Sequence, residues 1–415
     1  MKKLKQAAET EETLSTAMAD DRISNLPIHT LHRILCSLSQ KEAVRTCLLS
    51  KQWRYIVSTR PDLEFFEYWF DNTQQNFVSV VSRTLQGYLD QNLSVHKLHL
   101  DLSRPMVSLL DKWMWIIAAL GIKAFKLDIF SSTSVYYDLP SAVFLSDSLQ
   151  ELHLCNCRLS PVESVRFNSL HMLTLEEVQV DGRTFETKTL RCPLLRRLVI
   201  KRCWELRNVW LSEAPGLKHF ELFDSERMEG RTIEIDVPNL ETVSIRGPWI
   251  WSHQQSTFLF SRLTSLHLCN VILSSESIDM LSFGFPTLES LALDNCSGFE
   301  GLHLANDSVK RLSIATSKIL LKGVTICAPN IVIFGFTAGI PHAPDTFSFT
   351  TTTSKEWYSQ VFLSSSAEGP DFDANLWFLK LRRMLKTLKL PIESVHMQLL
   401  PRLWFASNTH VELRL

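Results

Sequence analysis

The sequence predicts an α/β chain in which a compact unit of three helices precedes a long repeat solenoid built on a curved parallel sheet. Two observations lead there. An apolar pattern returns every 21 to 27 residues from Val95 to Phe336. Ahead of it, apolar residues at Leu31, Ile34, Leu35 and Leu38 follow the i, i+3, i+4, i+7 spacing of one helix face.

Each helix of the first unit has its own start signal. Pro27 suits a first helical position, where a missing N–H costs nothing. Ser39-Gln40-Lys41-Glu42 reads as a capping box that opens a second helix, with Val44 and Leu48 four apart on its inner face. Ser50 can cap a third helix that carries Trp53, Ile56 and Val57. About forty residues cannot bury so many large side chains alone. This unit therefore needs a partner, or the rest of the chain, to cover it.

The solenoid rests on the motif L-x-x-L-x-L, with other large apolar residues admitted. It runs through Val95/Leu98/Leu100, Ile122/Phe125/Leu127, Leu149/Leu152/Leu154, Leu170/Leu173/Leu175, Leu195/Leu198/Ile200 and Leu217/Phe220/Leu222. It continues at Leu240/Val243/Ile245, Leu263/Leu266/Leu268, Leu288/Leu291/Leu293, Val309/Leu312/Ile314 and Ile331/Phe334/Phe336. A repeat of this length and pattern is the signature of leucine-rich repeats. The last two apolar positions alternate as a short strand does, and the first closes the inner corner of the coil. Helices and loops are expected on the convex side. Cys157, Cys203 and Cys296 stand five residues beyond the second leucine, where a side chain must satisfy backbone groups inside the coil. After Pro341 the pattern fades. Residues 341–370, rich in Ser, Thr and Pro, read as a loop or insertion, and 371–415 as a helix over Asn375 to Lys386 followed by strand-like pieces.

Composition narrows the function. A formal net charge of −1 gives no global field favouring nucleic acid or an anionic membrane, and no apolar run is long enough to span a bilayer. The nine cysteines show neither CxxC nor zinc spacing, and residues 1–19 read as a disordered leader with no secretory apolar core. Reduced thiols in the cytoplasm or nucleus follow. No catalytic motif has the required spacing, so no catalytic residue, metal or cofactor is expected. Outward strand positions on the concave face, including Arg197, Lys201, His219 and Arg246, mix both signs of charge and suit a polar protein partner. Arg197 and Lys201 flank Leu198 and Ile200 and are expected to form a basic spot. Trp249 and Trp251 read either as exposed interface anchors or as packing on the coil.

The stretch Asp20-Asp21-Arg22-Ile23-Ser24-Asn25-Leu26-Pro27, with Ala43-Val44-Arg45-Thr46-Cys47-Leu48-Leu49-Ser50-Lys51-Gln52-Trp53-Arg54 and Pro61-Asp62-Leu63, resembles the F-box of the plant F-box/leucine-rich-repeat family. Cys192-Pro193-Leu194-Leu195 and the apolar helix leading through Trp113 to Leu127 are similar to that family's repeats. Two positions depart from it: Ile28-His29 stands in place of an acidic pair, and Ser39 in place of a proline. The resemblance implies an F-box at 20–61 and a leucine-rich-repeat solenoid at 62–340. It implies a substrate-recognition subunit of a Skp1–cullin–F-box ubiquitin ligase, non-catalytic itself, with an unknown protein substrate. The Skp1-binding residues would be Leu26, Pro27, Leu31, Ile34, Leu35, Leu38, Val44, Arg45, Leu48 and Trp53; Arg197, Lys201, His219, Arg246, Trp249 and Trp251 would meet substrate. The family often carries a further C-terminal β-rich domain, expected here to be absent or vestigial. The alternative is an interaction scaffold that never assembles with Skp1.

Overall fold

The computed structural model describes residues 23, 25–70, 74–130, 136–144, 146–160, 167–189, 192–212, 214–224, 230–251, 260–316, 322–339, 346–350, 358–365, 394–399 and 411–413. The leader at 1–19 and the helix expected over Asn375 to Lys386 lie outside these residues. The chain divides into two compact units, Met1–Ser132 and Thr133–Leu415.

The first unit begins with α1 (Ile28–Cys36), α2 (Gln40–Arg45), a 3₁₀ turn at Thr46–Leu48 and α3 (Lys51–Ser58). The start signals work as the sequence indicates. The Glu42 amide donates to Ser39 Oγ at 3.3 Å while the Ser39 amide donates to the Glu42 carboxylate at 3.0 Å, a complete capping box. The Trp53 amide donates to Ser50 Oγ at 3.3 Å. Pro27 sits one residue before the helix rather than inside it. Then come β1 (Asp62–Phe66), a 3₁₀ turn at Glu67–Phe70, α4 (Gln74–Asp90), β2 (Lys97–Leu102), α5 (Val107–Ala119) and β3 (Ala124–Ile129). The three strands pair in parallel, and α4 and α5 make the return paths. Phe77, Val81 and Leu85 of α4 and Leu110, Trp113, Met114 and Ile117 of α5 are buried, with Trp113 Nε1 donating to Ser82 Oγ at 3.0 Å.

The second unit runs β4 (Tyr137–Asp138), α6 (Ser141–Phe144), β5 (Glu151–Cys155), β6 (Cys157–Arg158), β7 (Met172–Glu176), α7 (Gly182–Thr189), β8 (Arg197–Lys201) and β9 (Asn208–Leu211). It continues with β10 (His219–Phe223), β11 (Thr232–Ile235), β12 (Thr242–Arg246), β13 (Ile250–Trp251), β14 (Ser265–Cys269), β15 (Ile272–Leu273), α8 (Ser275–Phe283) and β16 (Ser290–Asp294). It closes with β17 (Gly301–Ala305), β18 (Arg311–Thr316), β19 (Gly323–Cys327), β20 (Ile333–Gly339), β21 (Thr346–Thr350), β22 (Tyr358–Ser365), β23 (Ser394–Leu399) and β24 (Val411–Leu413). The main parallel ladder is β5-β7-β8-β10-β12-β14-β16-β18-β20-β22-β23, with β24 added antiparallel.

Every repeat found in the sequence supplies one strand to a main ladder, from β2 to β20. The first motif position is buried in all of them, Val95 through Ile331, because it turns in at the corner before the strand. The fold is the α/β leucine-rich-repeat architecture that the periodicity predicts. Three features differ from expectation. β1 precedes the first motif and pairs with β2, burying Leu63 and Phe65. In the second unit much of the return path is not helix or loop but short parallel strands: β9-β11-β13-β15, β17-β19-β21 and β4-β6. Segments of two to five residues are too short to show a period. Finally, 341–370 is not simply a loop, since β21 pairs with β19 and β22 with β20.

The strand exits explain the cysteines. Asn156, Glu177, Arg202, Asn270 and Asn295 adopt left-handed φ values of 49° to 58° alongside Gly247 at 131°, each four residues beyond the second leucine. This turn points the next side chain into the coil. Cys203 Sγ donates to the Leu175 carbonyl at 3.6 Å and Cys296 Sγ to the Leu268 carbonyl at 3.4 Å. Burial pushes both thiols up to about 12, so they stay protonated at neutral pH. We expect both to react with a maleimide only on unfolding. Labelling of Cys203 and Cys296 in the folded protein at the rate of a surface thiol, read by mass spectrometry, would contradict this placement.

Candidate functional site

Two surfaces carry the residues that the sequence singles out. The first lies on the three-helix segment, whose apolar residues divide sharply. Leu31, Leu35, Ala43, Trp53, Ile56 and Val57 form its own core, with Leu38 and Cys47 packed against it. Leu26, Pro27, Ile34, Val44, Arg45 and Leu48 face solvent. Leu48 is 88 % exposed and its neighbour Leu49 67 %. The ten residues expected to bind an adaptor therefore separate: Leu31, Leu35 and Trp53 are structural, Leu38 is half-buried, and six are free to meet a partner.

Val44 and Leu48 correct the expectation of an inner face. The α-helix ends at Arg45 and the chain tightens into a 3₁₀ turn, so a spacing of four no longer means one face. Ala43 takes the inward position instead. Sequence reasoning missed Ile28, Leu49 and Tyr55, which are 47 %, 67 % and 58 % exposed and extend the apolar surface. The signal was available at Leu48-Leu49, since two adjacent leucines cannot both turn inward. Scattered exposed leucines are ordinary, but so many within some thirty residues leave an unusual amount of apolar surface in water. Cys36 belongs to no reactive constellation here, because burial and the nearby Asp62 carboxylate push its thiol up to about 11.

The second surface is the outward side of the ladder in the second unit. Its register sets residues in rows across the strands: Met172, Arg197, His219 and Thr242; then Thr174, Val199, Glu221 and Ser244; then Glu176, Lys201, Phe223 and Arg246. Arg197, Lys201, His219 and Arg246 do share this face. The expected basic spot is broken up rather than bare: Arg197 is ion-paired, while the Glu176 carboxylate beside Lys201 is taken by Arg202 at 2.8 Å. The Arg197 guanidinium lies 3.5 Å from the Glu221 carboxylate, and the register sets Lys201 between Glu176 and Phe223. Val199, between the two cations, is buried. His219 Nδ1 is 2.8 Å from Thr242 Oγ1, and the Arg246 guanidinium stacks 5.5 Å from the Phe223 ring centre. Burial, and then the Arg246 charge, hold His267 below the ordinary histidine value.

Trp249 and Trp251 are not surface anchors. They are 1 % and 5 % exposed and pack inside the coil on the return sheet. Beside them Arg231, itself 2 % exposed, forms an ion pair with buried Asp224 and lies 5.4 Å over the Trp249 ring. The sequence offered no sign of this buried pair, because the two residues come from different limbs of a turn. In the first unit, His99, Asp101 and Asp128 offer one ligand atom each within 4.8 Å of one another. His99 Nε2 already meets Asp128 at 2.7 Å and Lys126 Nζ meets it at 2.9 Å, so Asp128 is charge-compensated by the protein itself. No helix among the described residues is long and apolar enough to cross a membrane.

Comparison with known proteins finds matches to both parts of the chain. The F-box domain model matches residues 23–64, and the At1g61320/AtMIF1 LRR domain model matches residues 89–256. From Arabidopsis thaliana, the F-box/FBD/LRR-repeat protein At4g26340 is 31 % identical over 57 % of this chain and 57 % of its own length. F-box/LRR-repeat protein At3g59200 is 30 % identical over 53 % of this chain and 44 % of its own. F-box/LRR-repeat protein 13 is 27 % identical over 58 % and 54 %. The chain thus spans about half the length of the curated relatives it matches. With an F-box match at its start, a match to the LRR model after it and relatives that combine the two, the chain carries the domain order of the plant F-box/leucine-rich-repeat proteins and is similar to them.

Proposed function

We propose that this protein is the substrate-recognition subunit of a Skp1–cullin–F-box ubiquitin ligase. The observation that carries the reading is the solvent-facing apolar set Leu26, Ile28, Ile34, Val44, Leu48 and Leu49 on a segment that already has its own core. A surface of that kind is stable in water when a partner covers it, and a Skp1-like adaptor is the partner an F-box calls for. The second-unit ladder then serves as the capturing limb, with Arg197, His219, Glu221, Arg246 and their neighbours presenting a polar, charge-paired face to a protein substrate. Tethering substrate and ligase raises their effective concentration, so the chain needs no catalytic group of its own. We place this work in the cytoplasm or nucleus.

The test is affinity purification of the tagged full chain from plant cells under a cullin-neddylation inhibitor, read by mass spectrometry. The reading expects a Skp1-like adaptor and a cullin among the captured proteins, with substrate enriched by the inhibitor. Recovery of neither adaptor nor cullin would leave an interaction scaffold as the better account.

A further inference from the structure

The outward face of β1–β3 differs from the charge-paired face of the second unit. Its middle row is Glu64, His99 and Lys126, and its last row is Phe66, Asp101 and Asp128. Five carboxylates, on Asp62, Glu64, Glu67, Asp101 and Asp128, stand against the ammonium groups of Lys97 and Lys126. Asp128 is spoken for by His99 and Lys126, and Glu67 by Ser103, whose amide and hydroxyl both donate to it at 2.7 Å. Among the described residues Asp101 has no hydrogen bond or ion pair. Burial and then the neighbouring Asp128 charge raise its carboxyl above the usual carboxylate range, against the opposing pull of His99 and Lys126.

Aromatic rings flank that carboxylate. Phe66, opposite Asp101 in the ladder, has the rings of Trp69, His99 and Tyr68 at 4.3, 4.7 and 5.5 Å. Tyr68 and Trp69 meet edge to face at 6.0 Å. Tyr68 is 70 % exposed, so a large aromatic face remains in water. A carboxylate with no bonded partner, beside an exposed aromatic face, suits one protein side chain best. A guanidinium is planar and weakly hydrated, stacks on aromatic rings and forks to a carboxylate, whereas an ammonium does less of each.

We propose that this face docks an arginine-bearing basic segment of a partner protein, its guanidinium between Asp101 and the Phe66–Tyr68–Trp69 cluster. The proposal goes beyond the substrate-capture reading by adding to the second-unit ladder a first-unit face with its own partner chemistry. It rests on that reading only for the partner's role as substrate, since the docking itself needs no adaptor.

The experiment titrates the full chain into an end-labelled, acetylated tetra-arginine peptide at low salt and follows fluorescence anisotropy. A tetra-glutamate peptide is the control, and EDTA in the buffer removes any metal bridge. We expect saturable binding of tetra-arginine alone. Asp101→Asn should weaken it about tenfold and Tyr68→Ala about threefold, as loss of a charge-assisted contact and of a stacking face would do. Asp279→Asn, on α8 of the second unit, should leave it unchanged. Both test side chains are partly exposed, so melting temperatures should hold, and capture of the adaptor by the Asp101→Asn chain should persist. If wild-type chain binds tetra-arginine no better than tetra-glutamate, or if both variants bind as wild type does, the proposal is overturned whether or not the adaptor is captured.

Discussion

Replacing Leu48 by aspartate is expected to cut affinity for a Skp1-like adaptor by about 2–4 kcal/mol, some thirty- to thousandfold, while leaving the fold intact. Leu48 is 88 % exposed, so its removal takes almost nothing from the folded chain. In a complex it would move from water into a desolvated interface, where burying a carboxylate is costly. Isothermal titration with purified adaptor measures the loss, and a melting curve checks the fold. Leu35→Ala is the contrasting variant. Leu35 is fully buried in the core with Leu31, Trp53 and Ile56, so the small unit should lose about 2–5 kcal/mol of stability and bind poorly because it is unfolded. Equal affinity of wild type and the Leu48→Asp chain would remove this surface from the interface.

The second large effect lies in the second unit. Arg231→Met should destabilise it by about 3–5 kcal/mol, because Asp224 would remain buried without its cation. The same corner holds Gly247 at φ 131°, where an added Cβ would come 2.6 Å from the Asp224 carbonyl oxygen. It cannot relax easily. Changing both partners, Arg231→Met with Asp224→Leu, should recover most of the loss, since replacing a buried pair by apolar groups of similar size is near neutral. Each repeat leans only on its neighbours, so the damage should be local. Hydrogen exchange of the amides of Thr232–Ile235 in β11, together with thermal melting, reads both expectations. A single variant as stable as wild type would mean the pair contributes little.

These residues also show what the sequence makes legible. Val95, Leu170, Leu240 and Ile331 are recognisable because burial at the coil's corner recurs with the repeat, and all four are buried. Cys203 and Cys296 were legible for the same reason. Trp249 and Trp251 read equally as surface or interior, because the two-residue strand β13 is too short to show a period; its pairing with β11 places Trp251, and both rings are buried. The Arg231–Asp224 pair depends on how two limbs of a turn meet, which no local pattern records. On the helical segment the apolar stripe was legible but its division was not. Ile34 shares the stripe with Leu31 and Leu35 yet is 38 % exposed, and the break at Arg45 turned Val44 and Leu48 outward. The charge on Arg197 and Lys201 was legible, but the Glu221 carboxylate that pairs with Arg197 comes from the neighbouring repeat, 24 residues away.

The central claim is that the exposed face of the helical segment is made for an adaptor. Its most direct measurement is size-exclusion chromatography with light scattering on the purified full chain mixed with a purified plant Skp1-like protein. The account predicts a one-to-one complex that elutes ahead of either component and survives dilution into the micromolar range. Two separate peaks at their individual masses, from a chain whose melting curve shows it folded, would contradict it.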